Sequence, residues 1–277
     1  MQFSLASLVY GHRGRALAPP LNATFESGQI VAILGRNGSG KSTLLNTMAA
    51  LLKPISGEVR ISHGHNDGSP EERPLVVHQM SVQERARWVS ILLPTAETPP
   101  LIVQELVSLG RLPHGNRPLG ASNLGENISS SSNLGENSSG SLHIGENSSG
   151  SLHLGESISS SSNLGESISS SLYLGENSSG SLHPVEQALE LCGISHWAER
   201  KVQTLSSGQR QRVMLARAVA QDTPIMLLDE PTNFLDVEAT DEMFQLLSYL
   251  AQQGKIIIVA THQRDWAQRH AHQVLWL

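Results

Sequence analysis

The 277-residue sequence predicts an α/β fold in which a mostly parallel core sheet is flanked by helices. Three short apolar runs have the pattern of strands buried on both faces: Gln29–Leu34, which is rich in β-branched residues, Ile225–Leu228 and Ile256–Ala260. Helical spacing of apolar residues predicts helices at Ser42–Leu52, Val185–Cys192, Gln209–Gln221 and Val237–Gln253. Because strands and helices alternate along the chain, a parallel sheet covered on both faces is expected.

The composition gives no sign of a nucleic-acid partner. The formal charge is -6, from 25 acidic and 19 basic residues, but six of the acids lie in one repetitive stretch without Lys or Arg. These six are Glu126, Glu136, Glu146, Glu156, Glu166 and Glu176. The rest of the chain is neutral, with 19 acids and 19 bases, and shows no basic face large enough for nucleic acid.

The start of the chain does not resemble a targeting segment. Met1–Tyr10 is mildly apolar but lacks a basic n-region and a small-residue cleavage site. No run approaches the ~18 apolar residues that a membrane-spanning helix needs. Cys192 is the only cysteine, which excludes an internal disulfide and fits a reducing compartment. We expect a soluble protein, or one held at a membrane by a partner.

A glycine-rich loop links the first of the three buried strands to the first predicted helix. Its sequence, GRNGSGKS, fits the phosphate-binding pattern G-x-x-x-x-G-K-[ST], which is typical of P-loop NTPases. The glycines let backbone N–H groups wrap closely round phosphate oxygens at the mouth of a helix. Lys41 would reach the β- and γ-phosphates of ATP, and the Ser42 hydroxyl would bind Mg²⁺. We expect nucleotide contacts from Gly35, Asn37, Gly38, Gly40, Lys41, Ser42 and Thr43.

An acidic pair follows the predicted strand Ile225–Leu228. The strand would deliver Asp229 to the carboxyl end of the sheet, where it can hold Mg²⁺ directly or through water. Glu230, next to it, can orient and polarise an attacking water. Phosphoryl transfer depends mainly on positioning and charge neutralisation, so this pair and the phosphate loop together predict a nucleotide hydrolase.

Six consecutive decapeptides, rich in Ser, Gly and Asn, occupy residues 122–181. Because ten is an even number, a strand would keep the scattered leucines and isoleucines on one face, which suits a small stacked β-solenoid. A flexible, solvated loop is favoured instead, because so little apolar area does not offset the entropy of ordering. Neither interpretation gives the repeats catalytic chemistry.

Further motifs carry a resemblance to a known family. Leu205–Gln209 (LSSGQ), shortly before the acidic pair, resembles the LSGGQ signature of ABC ATPases. Phe234–Asp236 looks like the D-loop of that family, and Thr261–His262 is similar to its switch histidine. Tyr10 sits where the family places an aromatic ring that stacks on adenine. The resemblance covers almost the whole chain apart from the repeats, and it implies a single ABC ATPase domain over residues 1–277.

The resemblance also implies a head-to-tail homodimer with two ATP molecules sandwiched at the interface. Phosphates bound to the loop of one subunit would be capped by Ser206 and Gly208 of the other, with Gln209 belonging to the same nucleotide-binding set. The helix N-terminus after the signature offers a second positive pole to the γ-phosphate. His262 would contact the γ-phosphate as a catalytic residue, and Asp236 would communicate across the interface.

Leu101–His114 (LIVQELVSLGRLPH) looks like the matching stretch of importer ATPases for iron–siderophore complexes, haem and vitamin B12. By that resemblance, residues 82–204 form a helical subdomain that contains the 122–181 repeats and docks onto a membrane-spanning permease. A separate binding protein would supply the solute, and the chain would lie peripherally on the cytoplasmic face of the inner membrane. Arg111 and His114 are placed either at the docking surface or in plain solvent.

Four features depart from the family pattern. Thr95 stands where a glutamine touches Mg²⁺ and the attacking water, and its shorter hydroxyl would reach the metal only through an extra water. Ser207 replaces the first signature glycine, the repeats interrupt the subdomain, and the chain ends at Leu277 where the family usually continues. These departures motivate an alternative: a degenerate ABC-type ATP-binding module with little turnover and a regulatory or dimerisation role. A soluble ABC protein acting on ribosomes or DNA is disfavoured, because such proteins usually carry two of these domains or long coiled-coil arms.

Overall fold

The computed structural model describes residues 1–62, 73–94, 99–115 and 183–277. The repeats at 122–181 and the departure at Thr95 lie outside these residues. The interpretations of the repeats and of Thr95 therefore stay predictions, and the subdomain expected at 82–204 is described only in part.

The described residues form eleven β-strands and seven α-helices. The strands are β1 (Gln2–Val9), β2 (Gly11–His12), β3 (Arg15–Ala16), β4 (Leu21–Glu26), β5 (Ile30–Leu34), β6 (Ser56–Ser62), β7 (Leu75–Val76), β8 (Val89–Leu92), β9 (Ile225–Asp229), β10 (Ile256–Thr261) and β11 (Gln273–Trp276). The helices are α1 (Lys41–Met48), α2 (Val82–Trp88), α3 (Val103–Ser108), α4 (Pro184–Leu191), α5 (Ser207–Ala220), α6 (Val237–Gln252) and α7 (Arg264–His270). Within the described part of the chain, every helix is too short or too polar to cross a membrane.

The central sheet has five parallel strands in the order β11-β5-β10-β9-β8. All residues of β5, β9 and β10 are buried, as expected for parallel strands covered on both faces. These are the three strands that the sequence predicts from its apolar runs, and the predicted α/β fold class is confirmed. The carboxyl ends of β5, β9 and β10 lie side by side, so the loops that follow them meet at one edge of the sheet.

A second, antiparallel sheet has the order β4-β1-β6-β7, and β2 and β3 form a separate short hairpin. No pattern in the sequence indicated this sheet. In β4, partly or fully buried residues alternate with exposed ones. Strand β1 has an irregular register between Leu5 and Leu8, where Ser7 has a positive φ of 48°. Such short, half-buried strands give a much weaker signal than continuous apolar runs.

The central sheet separates two apolar cores, and alternate residues of its strands face one or the other. In β5, Ile30, Ala32 and Leu34 belong to the core formed with helices α3 to α7, whereas Val31 and Ile33 belong to the core formed with α1 and the antiparallel sheet. One face is therefore covered by helices, as predicted, and the other by a helix together with a sheet. Both faces bury enough apolar surface to hold the strand ends, and the loops after them, in fixed positions.

The segment after α3 caps the C-terminus of α5. A Cβ atom on Gly110 would lie 2.4 Å from a main-chain oxygen of α5, so only glycine permits this approach. Arg111 Nη1 donates to the carbonyl of Ala220 at 3.0 Å, and His114 Nε2 lies 2.8 Å from the carbonyl oxygen of Gln221. Donors and cations at a helix C-terminus satisfy carbonyls that lack intrahelical partners. Arg111 and His114 thus bind within the chain, a third role beside the two that the sequence left open.

Candidate nucleotide-binding site

The glycine-rich loop lies between β5 and α1, as predicted. Gly38 and Gly40 have positive φ angles of 82° and 98°, and a Cβ on Gly35 would lie 2.5 Å from Ser39 Oγ. The chain therefore needs glycine at these positions to close round the start of α1. The first N–H groups of α1 have no intrahelical acceptor, and together with the loop they form a concave set of donors suited to phosphate.

The side chain of Lys41 folds over this loop. It is 6% exposed, and its Nζ donates to the carbonyl of Gly35 at 3.0 Å and lies 3.5 Å from the carbonyl of Arg36. The same Nζ forms an ion pair with Glu230 Oε1 at 3.5 Å. The ammonium group therefore lies between the phosphate loop and the acidic element that follows β9.

Asp229 ends β9 and is 2% exposed, and its Oδ1 has no hydrogen-bond partner among the described residues. Burial and the neighbouring Glu230 charge raise the pKa of this carboxyl, whereas a hydrogen bond from Ser42 and the Lys41 charge lower it; the net direction is upward. The Asp229 carboxylate is hydrogen-bonded to Ser42 near the start of α1. Together the two side chains offer oxygen ligands of the kind that Mg²⁺ prefers. Mg²⁺ takes its other ligands from water and phosphates, so a larger protein cluster is not required.

Glu230 connects two of the predicted site residues. Its φ of 47° is in the left-handed region, and its N–H donates to the carbonyl of Ala260 in β10 at 2.9 Å. This strained backbone turns the carboxylate toward the loop, where Oε1 pairs with Lys41 and Oε2 lies 2.9 Å from His262 Nδ1. Because a carboxylate only accepts, Nδ1 of His262 carries the hydrogen, and its Nε2 is left for another partner. The structure thus brings Lys41, Glu230 and His262 into one contact chain.

The signature segment forms the N-terminus of α5. Ser206 is the N-cap: its Oγ accepts from Gln209 N–H at 3.2 Å, and Gln209 Oε1 accepts from Ser206 N–H at 3.0 Å. This reciprocal pair is a capping box, which gives Gln209 a structural role that the resemblance did not imply. Ser206 and Ser207 are exposed. A Cβ on Gly208 would lie 2.8 Å from the carbonyl oxygen of Phe234, so the signature turn packs against the D-loop of its own chain.

Asp236 and Tyr10 have positions that the sequence did not specify. Asp236 is the N-cap of α6, and its Oδ1 accepts from Ala239 N–H at 2.8 Å. Tyr10 is fully buried, and burial raises the pKa of its hydroxyl. Its ring lies beside Gly40, where a Cβ would be 3.2 Å from Tyr10 Cε2. The predicted stacking of Tyr10 on adenine and the predicted signalling by Asp236 stay predictions.

Two polar contacts at the site were missed by sequence reasoning. His12 Nε2 lies 3.1 Å from Thr43 Oγ1, and Gln263 Nε2 donates to Thr232 Oγ1 at 3.1 Å. Each joins residues about thirty positions apart, and no periodicity or motif relates such positions. The motifs are the one signal available, since Thr43 is an expected nucleotide contact and Gln263 follows His262 in the sequence.

This chain resembles known proteins both in sequence and in fold. Residues 19–233 match the ABC transporter family. The iron(3+)-hydroxamate import ATP-binding protein FhuC of Bacillus subtilis (strain 168) is 30% identical over 276 residues, which cover 99% of this chain and 78% of that protein. The achromobactin transport ATP-binding protein CbrD of Dickeya dadantii (strain 3937) is 31% identical over 270 residues, covering 97% of this chain and 76% of that protein. The dimeric structure of MJ0796, a bacterial ABC transporter cassette, has the same fold, with a TM-score of 0.63 at 23% identity over 99% of this chain and 94% of the other.

Proposed function

This chain belongs to the ABC transporter family, and from that membership we propose that it is the ATP-binding and ATP-hydrolysing subunit of a membrane importer. The observation that carries the proposal is the contact chain of Lys41, Glu230 and His262, which lies beside the buried Asp229. These side chains are the parts that phosphoryl transfer needs: a cation for the phosphates, a carboxylate for the metal and a carboxylate for the attacking water.

Each residue of the contact chain has a distinct task in hydrolysis. Lys41, with the N–H groups of the loop and of the first turn of α1, binds the phosphates of ATP. Glu230 accepts a hydrogen bond from the attacking water and polarises it. His262 donates from Nδ1 to one oxygen of Glu230, which fixes that carboxylate and leaves Nε2 to contact the γ-phosphate.

Ser42 and Asp229 would hold Mg²⁺. Two observations support this assignment: Oδ1 of Asp229 is buried without a partner from residues 1–62, 73–94, 99–115 or 183–277, and Ser42 is hydrogen-bonded to Asp229. Bound there, the metal would neutralise part of the phosphate charge.

We further propose that two copies of the chain bind ATP between them, head to tail. The exposed Ser206 at the N-terminus of α5, together with Gly208, would meet the γ-phosphate bound to the partner copy. Capping by a helix N-terminus suits an anion because the N–H groups and the helix dipole both favour negative charge. The packing of Gly208 against the carbonyl of Phe234 supports coupling between the signature and the D-loop in each copy.

The solute is an iron–siderophore complex in this proposal, with haem and vitamin B12 as the next classes. FhuC and CbrD, named for iron(3+)-hydroxamate import and achromobactin transport, support this choice, as does the Leu101–His114 segment. The solute would contact a binding protein and a membrane-spanning permease rather than this chain. The chain would act peripherally, on the cytoplasmic face of the inner membrane, and co-purification with the permease tests that partner.

ATP hydrolysis by the wild type and by Glu230→Gln tests the catalytic proposal. The substitution keeps the shape of the side chain but removes the charge that polarises water, so turnover should fall by about 10²–10⁴-fold while ATP still binds. Glu26→Gln is the matched control, because Glu26 lies exposed on the antiparallel sheet and should leave the rate unchanged. Equal rates for wild type and Glu230→Gln would favour the degenerate binding module over the ATPase.

A further inference from the structure

The β2–β3 hairpin is fixed against the start of α1. A Cβ on Gly11 would lie 1.9 Å from the carbonyl oxygen of Arg15, so the hairpin closes only with glycine there. Leu17 N–H donates to the carbonyl of Tyr10 at 3.0 Å, which continues the pairing beyond the two strands. At Gly40, the N-cap of α1, a Cβ would lie 3.1 Å from Leu17 Cδ1. The base of the hairpin therefore packs on the phosphate loop, and the position of its side chains follows from that packing.

His12 lies in β2, and its Nε2 is 3.1 Å from Thr43 Oγ1. Thr43 is 9% exposed and is the third residue of α1, directly after Lys41 and Ser42. Among the described residues, His12 is the one hydrogen-bond partner of this hydroxyl. A hydroxyl has one hydrogen to donate and two lone pairs to accept. If Nε2–H of His12 donates to Oγ1, the hydroxyl hydrogen stays available for a second acceptor.

We propose that His12 is a positioning residue of the nucleotide site and acts through Thr43. Its Nε2–H donates to Oγ1 and so turns the Thr43 hydroxyl hydrogen toward a phosphate oxygen of the bound nucleotide. The inference rests on the proposed ATP binding, because a phosphate at the start of α1 is the acceptor that the hydroxyl requires. In the opposite arrangement, the Thr43 hydroxyl would donate its hydrogen to Nε2 of His12. Only the lone pairs of Oγ1 would then face the phosphate, and they would repel this anion.

Substitutions at His12 separate this role from general support of the hairpin. Adenosine, AMP and ATP binding would be measured for each variant by competition with a fluorescent ATP analogue. His12→Ala should weaken AMP and ATP binding by about 3- to 10-fold, the usual effect of one lost hydrogen bond, and leave adenosine binding unchanged. His12→Gln places an amide N–H near the former Nε2 and should restore phosphate binding. His12→Asn reaches only as far as Nδ1 and should behave like His12→Ala.

A double-mutant cycle with Thr43→Val tests whether the effect passes through the hydroxyl. In the Thr43→Val background, His12→Ala should cause no further loss of AMP or ATP binding. Arg15→Lys, on the neighbouring strand, keeps the charge and should bind all three ligands like the wild type. A wild type that does not bind ATP would remove the proposed function itself. If the wild type binds ATP, the His12 role alone is overturned by unchanged AMP and ATP binding in His12→Ala, by an equal loss of adenosine, or by a full His12 effect without the Thr43 hydroxyl.

Discussion

Replacing Asp229 with asparagine should stabilise the nucleotide-free protein. Asp229 is 2% exposed, its Oδ1 has no hydrogen-bond partner in the part of the chain that the structure describes, and burial raises its pKa above the ordinary value. A carboxyl with a raised folded-state pKa favours the native state only in its protonated form. That contribution is complete below the unfolded-state pKa and is lost as the pH rises through the folded-state pKa. At neutral pH the ionised carboxylate therefore weakens the native state, and Asp229→Asn removes that charge while keeping its size and its acceptor oxygen.

The expected gain is on the order of 1 kcal/mol, because a neutral amide loses less solvation energy on burial than an ionised carboxylate does. In a chain of this size, each kcal/mol of added stability raises the melting temperature by roughly 2–4 °C. Calorimetric melting of wild type and Asp229→Asn without nucleotide measures it. The difference should shrink as the pH falls toward the folded-state pKa, because the wild-type carboxyl then takes up a proton. An Asp229→Asn protein that melts below the wild type at neutral pH would refute this account of the buried charge.

Asp222→Asn is the matched control with the opposite expected sign. Burial would raise the pKa of Asp222, but the hydrogen bond and charge of Lys255, with the charges of Arg111 and His114, lower it overall. Its ionised form therefore stabilises the native state, and that contribution is lost as the pH falls through the folded-state pKa. Lys255 Nζ lies 2.8 Å from Asp222 Oδ1, but the Asp222 side chain is 67% exposed. Loss of this ion pair should therefore lower the free energy of unfolding by less than about 1 kcal/mol. Added MgATP should then stabilise the wild type and Asp222→Asn by about 2.7 kcal/mol at a hundredfold excess over Kd, and Asp229→Asn by much less.

Two further substitutions test contacts of α5. Gly208→Ala should lower the free energy of unfolding by about 1–3 kcal/mol and slow ATP hydrolysis, because the new Cβ would lie 2.8 Å from the carbonyl oxygen of Phe234 and must displace the D-loop. Ser207→Ala, at an exposed position of the same turn, should change neither quantity. Equal effects of the two substitutions in denaturant unfolding would contradict this packing argument. His114→Ala should cost about 1 kcal/mol, because the Gln221 carbonyl loses its 2.8 Å partner, with ATP affinity measured by calorimetry unchanged; a stability equal to the wild type would show that solvent replaces the cap.

The elements that the sequence predicts best are those buried on both faces. The apolar runs behind β5, β9 and β10 are continuous, so each strand was found to within a residue or two at either end. One helix start was predicted correctly, since α6 begins at Val237, after the N-cap Asp236. Helix α5 begins at Ser207, two residues before the predicted Gln209, although Ser206 caps it. The first helix was predicted to reach Leu52 but ends at Met48, because Ala50 takes a positive φ of 51° that no sequence pattern announced.

Contacts between distant segments explain what the sequence did not predict. His114 and Gln221 are separated by 107 positions, and His12 and Thr43 by 31. Neither hydrogen bond is associated with a local sequence pattern, because each depends on how the apolar cores bring two distant segments together. The phosphate loop was predictable for the opposite reason, because its donors, its lysine and its glycines lie within one short stretch of chain.

Under the proposed function, the ion pair of Lys41 and Glu230 would link nucleotide binding to catalysis. The side chains are 6% and 14% exposed, so little water is available to replace either partner, and separating them without a substitute would leave a buried charge unpaired. The phosphates of ATP are such a substitute for Lys41, because they bring negative charge to the same loop. If Lys41 turned to the phosphates, Glu230 Oε1 would lose this partner while Oε2 kept its hydrogen bond to His262. Under the proposed function, the carboxylate therefore becomes free to polarise water only when a nucleotide is present, which limits hydrolysis to the bound substrate.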